Sequence, residues 1–303
     1  FIDEWETLRG RNISDDDKLL LQQKFDKMYV TKDLYRIYCQ LLEECGLDPL
    51  SGAEYERRKI PYEDVFPMLY LKYRLEGGNH SHKNIKHLVI DEMQDYSYLQ
   101  YTILANLFSC KMTILGDRAQ TMADQQQDVL QFLPGIFGKD LRRIEMRKSY
   151  RNTVEIASYA ANLIGVTDLE LFERHGMPVL ERDVTDLEAA LREAVDTLFP
   201  DEKTYETAAV IVPDEKTAER AYLILREILA EKDFDCGKRL SWLNRDSSSF
   251  KKGLTVTTFY LAKGLEFDQV FSIFPKDEKR EIMMQAQYIA ATRALHELRV
   301  YHI

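Results

Sequence analysis

The spacing of apolar residues predicts that the chain opens with helices. From Asp15 to Cys45 the apolar positions recur every three to four residues, as on one face of a helix, and Gly46 followed by an Asp-Pro pair supplies a stop. A second amphipathic pattern runs from Tyr62 to Leu75 and ends at a Gly-Gly-Asn loop. We therefore expect a helical N-terminal segment.

Beyond residue 85 the pattern changes to short continuous apolar runs that alternate with helical segments. Runs of this length, apolar on both faces, are typical of parallel strands with helices on each side. The predicted strands are His87–Asp91, Met112–Asp117, Leu141–Met146, Ala208–Pro213, Leu254–Tyr260, Gln269–Pro275 and Leu298–Ile303. The predicted helices between them are Thr153–Ile164, Asp186–Leu198, Lys216–Lys232 and Ile282–Leu295. The fold class is therefore α/β with parallel sheets.

The length of 303 residues predicts about two domains. Pro134, Gly135 and Gly138 interrupt the pattern before a new predicted strand begins. We place the boundary there, which gives domains of residues 1–139 and 140–303.

Composition narrows the class of protein. The formal net charge of −10 argues against binding to a polyanion through bulk charge, so any nucleic-acid contact must be local. No apolar run approaches the roughly 18–20 residues that a membrane span needs. The four cysteines show no C-x-x-C spacing, which argues against a zinc knuckle or a disulfide framework. We expect a soluble, cytoplasmic protein.

The first candidate site lies at the end of the predicted strand His87–Asp91, where the apolar residues 88–90 lead directly into Asp91 and Glu92. In open α/β sheets ligands bind at the carboxyl ends of strands. Two adjacent carboxylates there can hold Mg²⁺ and orient an attacking water, as in a nucleotide hydrolase. The alternative is that acidic residues stand where the chain re-enters solvent.

Two further junctions carry polar side chains. The strand that ends in Leu-Gly-Asp-Arg-Ala-Gln places Gln120 within reach of a phosphate-bound water, although the motif is also an ordinary strand-to-turn sequence. Asn152 and Glu155 resemble a capping box that starts a helix. Arg151 would then be fixed just outside the helix, where a guanidinium can grip a phosphate.

Downstream, residues 263–268, Lys-Gly-Leu-Glu-Phe-Asp, join two predicted strands, and Arg293 lies in the last predicted helix. One arginine on a helix is usually a surface charge. Here the flanking Ala290, Ala291 and Ala294 allow a close approach from another surface.

These segments, in this order, resemble the nucleotide-binding motifs of UvrD/Rep-type superfamily 1 helicases: DEMQD, LGDRAQ, SYRN, AKGLEFD and AATRA. The sequence is most similar to the HelD branch, whose members act on RNA polymerase. The segments that carry this similarity are DEMQDYSYLQ, KSYRNTVEI, LAKGLEFDQV and YEDVFPMLYLKYRLEG. The resemblance covers residues from about 60 to the end of the sequence. It implies RecA-like sheets of the P-loop NTPase type, with one partial and one complete domain.

The resemblance also implies roles for matching residues, with ATP and Mg²⁺ as cofactors. Asp91 would hold the magnesium, Glu92 would be the base and Gln120 would sense the γ-phosphate. Arg151 and Arg293 would act as arginine fingers. The remaining residues expected to contact the nucleotide are Gln94, Lys263, Gly264 and Glu266.

Three departures from the family pattern matter. The phosphate loop G-x-x-x-x-G-K-[ST] is absent: only Gly138-Lys139 and Gly237-Lys238 provide a GK pair, and neither has the rest of the motif. We expect the missing loop to lie upstream in a longer protein, and this chain not to hydrolyse ATP by itself. Tyr260 stands where many relatives place histidine, which weakens the transfer of strand-contacting roles to that segment. The large accessory domain that many relatives insert between Arg151 and Lys263 is also missing.

The leading hypothesis is the C-terminal part of a monomeric, ATP-dependent helicase-like motor. Its partners would be single-stranded or duplex DNA, or RNA polymerase, with no membrane. The alternative is a natural non-catalytic module that has lost its phosphate loop and serves as a protein-binding scaffold.

Overall fold

A computed structural model describes residues 12–28, 31–76, 84–121, 129–138, 141–146, 148–166, 170–198, 205–231, 239–247, 252–276 and 281–303. Gly237-Lys238, the second GK pair, and Lys139 of the first lie outside these residues. The chain packs as two compact units. Unit 1 comprises Phe1–Val89 and Ser97–Thr113, and unit 2 comprises Ile90–Tyr96 and Ile114–Ile303. The predicted boundary at residues 139 and 140 stays a prediction.

Unit 1 is mainly helical. Its helices are α1 (Asp15–Met28), α2 (Leu34–Glu44), α3 (Tyr62–Leu75) and α4 (Tyr98–Leu107). Strands β1 (His87–Ile90) and β2 (Lys111–Ile114) pair with each other and lead into unit 2 at their last residues. Tyr35, Tyr38 and Leu42 of α2 pack with Met68 of α3 to form a hydrophobic cluster in unit 1.

The helical pattern predicted from Asp15 to Cys45 is confirmed, and it forms two helices, α1 and α2. The Asp33 carboxylate accepts a hydrogen bond from the Tyr35 N–H at 3.0 Å and starts α2 as a new helix. The predicted stop is confirmed, because α2 ends at Glu44 and Gly46 adopts the left-handed backbone with φ of 75°. Helix α3 has the predicted bounds.

Unit 2 is built on a parallel six-stranded sheet in the order β5-β10-β9-β6-β8-β7. The strands are β5 (Leu180–Asp183), β6 (Thr207–Val212), β7 (Leu240–Trp242), β8 (Gly253–Thr258), β9 (Phe267–Phe274) and β10 (Ala294–His302). Two shorter strands, β3 (Lys148–Ser149) and β4 (Glu170–Leu171), form a separate parallel pair. The predicted α/β fold with parallel sheets is confirmed.

Helices cover both faces of this sheet. They are α6 (Val154–Leu163), α7 (Leu187–Asp196), α8 (Glu215–Ala230) and α9 (Glu281–Thr292). Unit 2 also contains α5 (Val129–Phe137). Val210 of β6 shares a core with α7 and α8, whereas the next residue, Ile211, shares a core with α6 and α9. Successive side chains of a strand point to opposite faces, so the part of β6 that is covered on both sides must be apolar on both faces.

The strand predicted at Leu141–Met146 is wrong. These residues lie outside any helix or strand, and Ile144 and Met146 are 86% and 84% exposed. An apolar run becomes a strand only where a neighbouring strand accepts its hydrogen bonds. Conversely, β5 and β7 were not predicted, because both are short edge strands and β5 is polar. None of the helices described here is long and apolar enough to cross a membrane.

Candidate functional site

The predicted acidic pair lies in the turn that follows β1. Asp91 is exposed, and one of its carboxylate oxygens, Oδ1, accepts the Glu92 N–H at 2.8 Å. Glu92 adopts left-handed backbone angles, φ 52° and ψ 52°, and is the non-glycine residue with positive φ in the described part of the chain. This conformation costs about 1–2 kcal/mol for such residues. Strain of this kind is concentrated at functional sites.

Gln94 fixes the orientation of the Glu92 carboxylate. The buried Gln94 side chain donates through Nε2 to Glu92 Oε2 at 2.5 Å and accepts the Asp117 N–H through Oε1 at 3.1 Å. It therefore joins the turn after β1 to the turn after β2. Its predicted contact with nucleotide stays a prediction, since both polar atoms of this amide are engaged within the protein.

A glycine permits this close approach of the two turns. A Cβ added to Gly116 would lie 2.5 Å from Gln94 Oε1 and 2.6 Å from the Met93 backbone nitrogen. The backbone of the same region is already tied together, since the Met93 N–H donates to the Leu115 carbonyl at 2.8 Å. Any larger residue at position 116 would push the turns apart.

Gln120 is held by an aspartate that the turn after β2 provides. Asp117 Oδ1 accepts the Ala119 N–H at 2.9 Å, and Oδ2 accepts both Gln120 Nε2 and the Tyr288 hydroxyl at 2.9 Å. The other end of the Gln120 amide, Oε1, accepts from Arg293 Nη2 at 3.3 Å. Gln120 is thus a buried link between this turn and Arg293.

Arg293 is 1% exposed and lies after α9, not inside a helix as predicted. Helix α9 ends at Thr292, because the Arg293 carbonyl accepts the Phe267 N–H at 2.9 Å as β10 begins. Burial and the nearby charge of Arg151 lower the pKa of Arg293, whereas the carboxylates of Glu92 and Glu266 raise it. These opposing contributions show that Arg151, Glu92 and Glu266 all lie within electrostatic range of Arg293.

Asn152 holds the backbone on both sides of Arg293. Its Nδ2 donates to the Thr292 carbonyl at 3.2 Å and to the Ala294 carbonyl at 2.6 Å. The prediction that Asn152 caps α6 is wrong, because Thr153 is the cap and accepts the Ile156 N–H. Asn152 and Thr153 are adjacent, and both residue types can cap a helix. Asn152 instead binds the backbone carbonyls on either side of Arg293, and Thr153 caps α6.

Glu155, the other half of the predicted capping box, also has a different role. Its carboxylate accepts from His175 Nδ1 at 3.0 Å and from the Gly176 N–H at 2.9 Å. The hydrogen bond from His175, aided by backbone N–H groups, lowers the pKa of Glu155 to about 2. The start of α6 is thereby tied to the segment before β5.

Arg151 forms an ion pair with Glu266, Nε to Oε1 at 2.6 Å, and both side chains are nearly half exposed. The Arg151 backbone is positioned by Arg174, whose guanidinium donates to the carbonyls of Arg151 and Leu295. Exposed ion pairs contribute about 0–1 kcal/mol. An anionic ligand could therefore replace Glu266 at Arg151 at little cost.

The remaining predicted residues lie between β8 and β9. Lys263 Nζ contacts Asp95 Oδ1 at 2.6 Å, with the lysine side chain 11% exposed and the aspartate 42% exposed. Gly264 next to it adopts the left-handed backbone with φ of 75°. This ion pair links the Lys-Gly-Leu-Glu-Phe segment to the turn after β1.

The structure brings most of the predicted site residues together. Not all of them are in direct contact with one another. Hydrogen bonds or ion pairs join Gln94 to Glu92, Gln120 to Arg293, and Arg151 to Glu266. Of the hydrogen bonds and ion pairs described above, Asp91 takes part only in the one with the Glu92 N–H. The described residues contain no group of three or more His, Cys, Asp or Glu side chains that could hold a metal ion. Mg²⁺ is often held by one or two carboxylates together with substrate phosphates, and an exposed Asp91 fits that mode.

Sequence reasoning missed Tyr288 and Arg174. Tyr288 stands in the same helix as the AATRA motif, but its spacing alone does not separate a hydrogen-bonding residue from an apolar one. Arg174 lies in a loop with no motif. Their roles follow only from the strands and helices that carry Asp117 and Arg151 to them.

Several solved structures are similar to the chain. The C-terminal domain of a possible DNA helicase from Lactobacillus plantarum WCFS1 is 24% identical, with a TM-score of 0.40 over 51% of this chain and 88% of that one. The PRRSV helicase is 16% identical, with a TM-score of 0.41 over 88% of this chain and 45% of that one. Arterivirus nonstructural protein 10, a helicase, in its complex with DNA is 15% identical, with a TM-score of 0.38 over 72% and 39%. The chain thus spans less than half of the two viral helicases.

No curated protein matches the sequence. The sequence nevertheless matches one family model, which covers Asp91, Glu92, Gln94 and Gln120 and leaves out the predicted residues from Arg151 onward. The coarser form of the predicted resemblance is therefore confirmed: residues 10–122 match the N-terminal domain of the UvrD/REP helicases.

Proposed function

We propose that the chain is part of an ATP-dependent, superfamily 1 helicase-like motor and carries the residues that act on the γ-phosphate. The hydrogen bond between Gln120 and Arg293 carries this proposal. It joins a side chain that follows β2 to a buried guanidinium whose charged form is favoured by Glu92 and Glu266. A buried arginine held by a neutral amide, close to a second arginine, is suited to receive phosphate charge.

Each side chain has a task in that reaction. Glu92, oriented by Gln94, would take the proton of the attacking water, and Asp91 would hold Mg²⁺. Bound Mg²⁺ would neutralise charge that develops on the phosphates. Arg151 and Arg293 would donate hydrogen bonds to the phosphoryl oxygens. Lys263, Gly264 and Glu266 would contact the nucleotide from the same side.

The cradle for the β- and γ-phosphates is not encoded in these 303 residues, since no G-x-x-x-x-G-K-[ST] segment occurs. Backbone N–H groups of such a loop bind phosphate oxygens, and their loss removes most of the affinity for ATP. We therefore infer that activity needs the longest protein that the reading frame encodes, and that this chain alone is inactive.

ATP hydrolysis by that longest protein, with Mg²⁺, tests the proposal. Glu92→Gln and Arg293→Ala should each lower turnover more than about tenfold, because each removes a group that acts only in the transition state. Glu219→Gln and Arg220→Ala, both exposed on α8, are matched controls and should keep normal turnover. Normal rates in the first two variants would refute the assigned roles.

The partner is proposed from the same motifs. Single-stranded or duplex DNA is the expected substrate. The HelD-like sequence of the motifs favours RNA polymerase as a partner. A strand-separation assay and a pull-down with purified RNA polymerase separate these possibilities. ATP-dependent release of polymerase without strand separation supports the HelD-like branch, and strand separation without polymerase binding excludes it.

A further inference from the structure

A tyrosine of α9 belongs to the same hydrogen-bond network as Gln120 and Arg293. Its hydroxyl donates to Asp117 Oδ2, and that oxygen also accepts Gln120 Nε2, both at 2.9 Å. Gln120 Oε1 in turn accepts from Arg293 Nη2. Tyr288, Asp117, Gln120 and Arg293 therefore form a continuous series of hydrogen bonds within unit 2.

The chemistry of the two ends fixes the orientation of the Gln120 amide. A guanidinium can only donate, so the amide oxygen must face Arg293. A carboxylate can only accept, so the amide nitrogen must face Asp117. The orientation of Gln120 thus depends on where the Asp117 carboxylate is held. The Ala119 N–H holds one of its oxygens, and the Tyr288 hydroxyl holds the other.

The Tyr288 hydroxyl is a permanent donor. Burial, together with the negative charge of Asp117, raises the pKa of Tyr288 well above its ordinary value. The Tyr288 ring also packs against the core cluster that contains Ile289 and Ala290. A change to phenylalanine keeps this packing and removes only the hydrogen bond.

We propose that Tyr288 is a positioning residue, which acts through Asp117 to hold the Gln120 amide in the orientation that engages Arg293. Its catalytic meaning rests on the proposed function, since Gln120 and Arg293 are the groups proposed to act on the γ-phosphate. The hydrogen-bond network itself does not depend on that proposal and can be tested without nucleotide.

The first test measures the reactivity of Arg293 in the 303-residue chain without nucleotide. Phenylglyoxal modifies arginine, and peptide mass spectrometry gives the rate at Arg293 relative to exposed Arg220 in the same sample. Tyr288→Phe should raise the relative rate about three- to tenfold, which corresponds to the loss of one hydrogen bond. Asp117→Asn replaces an accepting carboxylate oxygen with a donating amide nitrogen and should also raise the relative rate at Arg293. This variant provides the test if Tyr288→Phe fails to fold.

Tyr159→Phe is the matched control. The Tyr159 hydroxyl donates to Glu181 Oε1 at 3.3 Å, so this variant removes a tyrosine–carboxylate hydrogen bond elsewhere in unit 2. Its Arg293 reactivity should equal that of the wild type. An unchanged rate in the Tyr288 and Asp117 variants, or an equal rise in Tyr159→Phe, would overturn the proposal.

The second test uses ATP hydrolysis by the longest encoded protein. Tyr288→Phe should lower kcat about three- to tenfold and leave KM for ATP within about twofold, because positioning of Gln120 and Arg293 affects the transition state more than binding. Raised Arg293 reactivity with unchanged kcat would overturn the catalytic part. If the longest encoded protein hydrolyses no ATP, the proposed function is refuted. The reactivity test would still decide whether Tyr288 positions Gln120 and Arg293.

Discussion

Asn152→Ala tests whether one buried amide fixes the backbone around Arg293. The Asn152 side chain is 7% exposed and donates to the carbonyls of Thr292 and Ala294. A typical hydrogen bond contributes about 1 kcal/mol net, and a buried acceptor left without a donor costs about 1–3 kcal/mol. Two such bonds, one to the buried Ala294 carbonyl and one to the partly buried Thr292 carbonyl, predict a loss of about 2–4 kcal/mol in the free energy of unfolding.

A second substitution separates loss of the donor from loss of volume. Asn152→Asp keeps the size of the side chain but places a carboxylate oxygen against the two carbonyl oxygens. We expect it to destabilise the protein at least as much as Asn152→Ala, since a buried charge is added without a partner. Asn162→Ala, at an exposed position of α6, which begins two residues after Asn152, is the control and should stay within about 0.5 kcal/mol of the wild type.

Urea unfolding followed by tryptophan fluorescence provides the measurement. The sequence has two tryptophans, and Trp242 lies in β7 of the six-stranded sheet, whereas Trp5 lies outside the described residues. A Trp5→Phe background makes the signal report on the sheet of unit 2 alone, and its midpoint and slope give the free energy of unfolding. If Asn152→Ala and Asn162→Ala shift the midpoint equally, the two hydrogen bonds do not hold the Arg293 backbone and the reasoning is refuted.

Two further predictions concern the turns and the acid response. Gly116→Ala should cost about 1–3 kcal/mol, because its Cβ would overlap Gln94 and Met93. Gly135→Ala, where an added Cβ meets nothing within 4 Å, should be neutral or stabilising in the same urea assay. Because the folded-state pKa of Glu155 is lowered from 4.5 to about 2, its contribution is complete above pH 4.5 and is lost as pH falls toward 2. Glu155→Gln should therefore lose less stability than the wild type as the pH falls through that range. Urea midpoints from pH 6 to 2 measure this loss. A variant that loses as much stability as the wild type would contradict the role given to Glu155.

The sequence by itself determined the parallel α/β fold of unit 2. Continuous apolar runs such as β6 predict strands buried on both faces, because a strand covered by helices on both sides has no polar face. The apolar run at 141–146 shows the limit of this pattern. Whether a run becomes a strand depends on a partner for its backbone hydrogen bonds, and that partner comes from distant sequence.

The sequence also pointed to the candidate site residues, since Asp91 and Glu92 stand at the end of one predicted strand and Gln120 lies three residues beyond the end of the next. Only the tertiary structure decided how these side chains are held. Gln120 meets Arg293 across 173 positions of sequence, and Asn152 meets the Ala294 carbonyl across 142. Local spacing cannot encode such pairs, because they form only after the sheet brings its strands and helices together. For the same reason Asn152 looked like a helix cap and Arg293 like a helical residue, whereas the folded backbone gives both of them different partners.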